Sequence, residues 1–307
     1  MNEGWRRWFV RDGRLRALWR ALLFVAAFMA ILQLQLLLLP VLAVPVAADR
    51  VSAGLVVQGF MLLSAAVLAG WAMLRWVDER PLAELGFALR KRVPLELVAG
   101  TGIGAGALGL VVLAVAAVGG YRYTPDAGSA AAWLATAGAG LAVFAIPAAA
   151  EEALFRGYLF RTLIEGAGTA VAIVVTSLLF TLVHGANPNV TGFGLVNIFL
   201  AGVLLAVAVL RTGSLWFATA VHLGWNWAMA GPLDLPVSGI AGYDMPLYDG
   251  SSAGPAWLTG GEFGPEGGLV GTGAAGLALA LVLWTTRPGA RLAGPNRDGR
   301  DDRGEDR

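Results

Sequence analysis

AVFAIPAAAEEALFRGYLF, residues 142–160, decides how this chain is to be read. It sets two adjacent carboxylates, Glu151 and Glu152, and a cation, Arg156, inside an apolar run long enough to span a membrane. A charged side chain at the bilayer centre costs at least roughly 2.5–3.5 kcal/mol, so such residues mark functional sites by default. Each residue of a helix turns by about 100°, so the two glutamates point apart and do different jobs. Glu152 precedes Arg156 by four positions, the favourable order for an ion pair. Glu151 is then free to act as a base or a ligand.

The rest of the chain supplies the membrane. It is 57% hydrophobic and 14% charged, against about 25% charged in soluble domains, and its mean hydropathy is +0.67. Open strands cannot span lipid, and the alternating pattern of a membrane barrel is absent. The expected fold is an all-α polytopic bundle, a single membrane domain over residues 1–307. It has about eight spans of the ~20 residues a crossing requires: 18–47, 51–76, 95–119, 131–165, 168–185, 193–211, 213–231 and 267–286. Pro40 and Pro45 kink the first or end it early, and Pro147 bends the fourth. The first span reads as retained, since no small-residue cleavage pattern follows it. With no cysteine in the chain, disulfides and thiolate chemistry are excluded. The net charge of +1 says nothing about partners by itself; the expected partners are the bilayer and a membrane-tethered substrate, with no nucleic acid.

Arginines before span one, residues 75–92, Arg211 and the arginines after span eight fall on one side if the spans alternate. Asp126, Asp234, Asp244, Asp249, Glu262 and Glu266 fall on the other. The positive-inside rule puts both termini in the cytoplasm of a cell (plasma) membrane protein. Residues 78–92, with Leu82, Leu85 and Leu89 at helical spacing, read as an amphipathic helix at the interface. The Gly- and Pro-rich stretch 232–266 is long enough to pack over the bundle mouth, and residues 290–307 read as a disordered cytoplasmic tail.

Both histidines of the chain join the glutamates. Glu151 lies about 16 residues before the turn at 165–168 and His184 about 16 after it, so in an antiparallel hairpin both sit about 24 Å from the turn. His222 and Asn226, four apart, share one face of span seven. Carboxylate, two imidazoles and an amide then converge. Asn197 in span six reads as packing, and the sequon at Asn189 carries no weight.

The segments EEALFRG (151–157), FTLVH (180–184) and HLGWN (222–226) resemble, in order, the EExxxR, FxxxH and HxxxN motifs of the CAAX-protease and bacteriocin-processing family. The family's four core helices would correspond to residues 131–231. The resemblance implies an intramembrane endopeptidase acting on a membrane-tethered protein or peptide, prenylated where such substrates exist. It implies that Glu151 and His184 activate water, and that His222 and Asn226 stabilise the oxyanion or complete a metal site. Glu152 and Arg156 are the supporting ion pair. The residue chemistry agrees: a carboxylate in a low-dielectric site is a competent base, and an amide can donate to an oxyanion. No metal is required in the favoured reading. A zinc site of Glu151, His184 and His222 is the alternative. Two non-enzymatic readings stay open: a transporter or proton relay, and a chaperone-like or immunity-type protein on the same fold.

Overall fold

The computed structural model describes residues 8–11, 13–39 and 51–286. About 74% of them are helical. Eight helices make up most of this: α1 (Ala17–Leu38), α2 (Val51–Val77), α3 (Val93–Ala117), α4 (Ala130–Ala167), α5 (Thr169–His184), α6 (Gly192–Thr212), α7 (Leu215–Ala230) and α8 (Leu269–Thr285). Each falls on an expected apolar segment, but only α1, α2, α3, α4 and α6 are long and apolar enough to cross a membrane. α5, α7 and α8 have 16, 16 and 17 residues, about 24–26 Å of helix against a hydrocarbon core of about 30 Å. Five helices therefore meet the expectation of eight. Gly168 and Gly268 stand at the N-terminal caps of α5 and α8, and Gly213 at the C-terminal cap of α6 just before α7, so glycine bounds each short helix at its start. The expected kink at Pro40 and Pro45 and the tail 290–307 lie outside the described residues.

The all-α expectation misses two small sheets. Val10–Arg11 (β1) pairs with Arg14–Leu15 (β2). Tyr121–Pro125 (β3) pairs antiparallel with Tyr248–Ser252 (β4), tying the α3–α4 connection to the long α7–α8 connection. Two tyrosines brace this second sheet. Tyr121 donates to the Thr259 carbonyl (2.7 Å), and burial pushes the Tyr123 phenol up to about 12. The α7–α8 connection does pack over the helix ends: Leu235, Val237, Met245 and Phe263 are all buried.

The interfacial helix expected over 78–92 is one 3-10 turn, Leu82–Leu85. Pro81 precedes it, and Gly86 ends it at φ 114°, a conformation only glycine adopts readily. The segment is also pinned into the bundle. Asp78 accepts from Arg20 of α1 and from Tyr158 of α4, each at 2.7 Å, and Leu85 is 2% exposed beneath Gly70. These anchors outcompete an amphipathic helix on the membrane surface.

Small residues let the core helices touch. A Cβ at Gly104 of α3 would lie 2.0 Å from the Val221 carbonyl oxygen of α7, and one at Gly224 of α7 would lie 2.2 Å from the Thr101 carbonyl oxygen. Membrane helices lack a hydrophobic drive to associate and rely on such close packing. α7 is thereby buried along most of its length. Pro147 stays within α4, where its ring faces Gly59 of α2. The irregular turn of α4 follows at Ala153–Gly157, a single π turn.

Candidate active site

Gly168, at φ 89°, turns α4 into α5, and the equal distances from that turn bring Glu151 and His184 together as expected. Glu151 Oε2 lies 4.0 Å from His184 Nε2 and 3.7 Å from His222 Nε2. It is a buried acceptor with no hydrogen-bond partner, although the side chain as a whole is 27% exposed to the adjoining cavity.

Each imidazole is held by its other nitrogen. His184 Nδ1–H donates to the Phe180 carbonyl at 2.7 Å, one turn back on α5. His222 Nδ1–H donates to Glu152 Oε1 at 3.0 Å. A carbonyl and a carboxylate only accept, so both Nδ1 atoms carry hydrogen and both Nε2 atoms face Glu151. The Phe180 ring sits 4.5 Å from the His184 ring and 6.0 Å from that of His222. It also packs under the Arg156 guanidinium at 4.4 Å, so one aromatic spaces three functional side chains.

Glu152 and Arg156 form the expected pair at 3.2 Å, both fully buried. The two glutamates point apart, as expected, yet Glu152 also reaches the site. The same Oε1 that meets Arg156 also holds His222. Diverging neighbours on α4 reach one residue because an imidazole presents nitrogens on opposite edges. Arg156 donates further to the Gly202 carbonyl of α6 at 3.2 Å, and the π turn carries it there. Asn226, one turn beyond His222, lines the same cavity. Asn197 is packing, as read: it donates to the Glu266 and Gly268 carbonyls, both at 2.8 Å, and accepts from Thr272.

The cavity is about 710 Å³. Helix α5 ends at His184, and the turn after it borders this space. Non-helical backbone at membrane depth is tolerated where it lines a water-filled cavity. The sequence reading missed Glu266, which accepts from Trp225 at 2.9 Å and Ser238 at 2.5 Å and borders the cavity. A carboxylate directly before the apolar run of α8 was the available signal. Asp234 anchors the connection by accepting from the Gly250 and Met245 amides. Burial raises its pKa above the ordinary carboxylate value, against those two hydrogen bonds.

Glu151, His184 and His222 have the donor chemistry of a zinc site, including the engaged outer nitrogens that orient histidine ligands. Their separations are wide for shared ligands, and among the described residues no three His, Asp or Glu side chains are grouped closely enough to mark a metal centre.

A helical bundle with this arrangement at its centre is an integral membrane protein of a class that residue comparison narrows. Residues 132–228 match the model of the Rce1-like family, type II CAAX prenyl endopeptidase Rce1-like. This match supports the CAAX-protease family assignment read from the three motifs, a family that implies a peptidase. It spans about a third of the chain and includes all six residues of the cluster. Neither a search of curated proteins nor one of solved structures finds a match.

Proposed function

We propose that the protein is an intramembrane endopeptidase that hydrolyses a peptide bond of a membrane-tethered protein or peptide. The observation that carries this is the free Glu151 Oε2 facing two imidazole Nε2 atoms beside a cavity. Glu151 takes a proton from water, and His184 Nε2, its tautomer set by the Phe180 carbonyl, orients that water. The hydroxyl attacks the scissile carbonyl. His222, as imidazolium backed by Glu152, donates Nε2–H to the developing oxyanion together with the Asn226 amide. Glu151 then delivers its proton to the leaving amine. In this reading all eight helices traverse the plasma membrane, the three short ones within a locally thinned bilayer, and both termini are cytoplasmic.

No metal is required by this sequence of proton transfers. A zinc ion, if bound, would be held by Glu151, His184 and His222 and would supply Lewis-acid polarisation of the carbonyl. Metal analysis of active purified protein decides between them. We expect full activity in protein stripped by chelator; stoichiometric zinc, with activity lost on stripping and regained on re-addition, would overturn the metal-free reading. The peptidase reading itself is tested by mass spectrometry of membranes that contain either the wild type or Glu151→Gln. Peptides that accumulate only with the variant are expected; identical peptide profiles would sink it.

A further inference from the structure

The cavity lies toward one end of the bundle. Its walls include Val51 and Leu55 at the start of α2, Asn187 in the α5–α6 turn, and Ile240 and Tyr243 in the α7–α8 connection. In chain direction these are all the same end, the one at which α5 and α7 finish and α2, α6 and α8 begin. Asn187 donates to the Ser238 carbonyl at 3.0 Å, so this rim is knit together.

Among the described residues the opposite end is shut. Arg20 bridges Asp78 (2.7 Å) and Glu165 (2.9 Å), and Arg80 also pairs with Glu165. Tyr158 adds its hydroxyl to Asp78. Below this network, Leu85 is wedged beside Gly70 and Gly157, and Leu215 is fully buried under Gly86. Among the described residues, this network and its apolar seal stand between Glu151 and that side.

The two ends also differ in charge. The shut end carries Arg75, Arg80, Arg90, Lys91, Arg92 and Arg211. The open end carries Asp126, Asp234, Asp244, Asp249 and Glu262, and Arg122 is its only Lys or Arg among the described residues. Lys and Arg in short loops are retained on the cytoplasmic side during insertion.

We infer that the cavity opens to the extracytoplasmic face and that the polypeptide it admits is an extracytoplasmic, membrane-anchored segment, not a cytoplasmic tail. The substrate half of this inference rests on the peptidase reading; the opening does not. A prenylated C-terminal tail made in the cytoplasm would meet the closed end.

The chain has no cysteine, so single cysteines report access directly. Leu55→Cys and Ile240→Cys line the rim without belonging to the proposed catalytic set, and Leu89→Cys marks the shut end, where Leu89 is 85% exposed. Each is treated with a membrane-impermeant maleimide in right-side-out and in inverted vesicles. We expect Leu55→Cys and Ile240→Cys to label only in right-side-out vesicles and Leu89→Cys only in inverted ones. Rim cysteines that label from the inverted side, or from neither, overturn the inference. Ala241→Cys, also exposed at the rim, replaces either variant if it fails to fold. Labelling needs no catalysis. The expected pattern in a protein that accumulates no peptides with Glu151→Gln would defeat the peptidase reading and leave the opening intact.

Discussion

Glu152 Oε1 accepts from both His222 and Arg156, while Oε2 has no hydrogen-bond partner. One fully buried carboxylate therefore balances a guanidinium and orients a histidine. Glu152→Gln leaves Arg156 buried without its counter-ion, and breaking a buried pair costs about 3–5 kcal/mol. Combining it with Arg156→Met should recover part of that stability in thermal unfolding, yet not activity, because His222 still lacks its carboxylate. A double variant no more stable than the single would contradict the pairing. Glu151 behaves differently because, among the described residues, its Oε2 has no hydrogen-bond partner. Glu151→Gln, His184→Ala and His222→Ala should each lower peptide hydrolysis by about 10²–10⁴-fold, and Asn226→Ala by about 10²–10³-fold, with the protein still folded and inserted. Retained activity in any one removes that residue from the catalytic set; loss of expression in all would point to a structural cluster.

The contact between α3 and α7 holds His222 in place. Gly104 and Gly224 let the two backbones approach until a methyl group at Gly104 would meet the Val221 carbonyl at 2.0 Å. Gly104→Ala should destabilise the protein by about 1–3 kcal/mol through overpacking, toward the upper end because the obstacle is backbone. Gly106, two residues on, faces open space, with no atom within 4 Å of the position a methyl group would take. Gly106→Ala should therefore be neutral or stabilise by up to about 1 kcal/mol, since it only reduces chain entropy in a helix. Opposite signs in paired denaturation measurements are the expected result. Equal effects would mean that the helices are not seated on these glycines. Helix α5 is the second decisive element. By stopping at His184 it leaves an imidazole at the end of a helix, with the cavity beyond it.

Across the whole molecule, charge and closure run in the same direction. The Arg20–Asp78–Glu165–Arg80 network seals one end, and the acidic α7–α8 connection frames the other. Reporter fusions at residue 85 and after residue 307 should read cytoplasmic, and one at residue 250, within β4, extracytoplasmic. A fusion after residue 307 on the outer side would mean an odd number of crossings. One of the three short helices, α5, α7 or α8, would then be the one that turns back.

The sequence by itself determined the helical membrane bundle, since only helices or closed barrels satisfy their backbone in lipid and the residues show no barrel alternation. It also determined the meeting of Glu151 with His184, because equal lengths of helix from a shared turn reach equal depth, and the ion pair of Glu152 with Arg156, because both lie on one helix face. These are local relations set by helical pitch and rise. Only the tertiary structure decided that His222 stands between both glutamates, that Phe180 spaces the cluster, and that Glu266 borders the cavity. It also decided that residues 78–92 are drawn into the bundle by Asp78 and Leu85. Each of these depends on the angle and separation of helices distant in sequence. Those are set by which small residues allow close approach, and no spacing within a single segment encodes them.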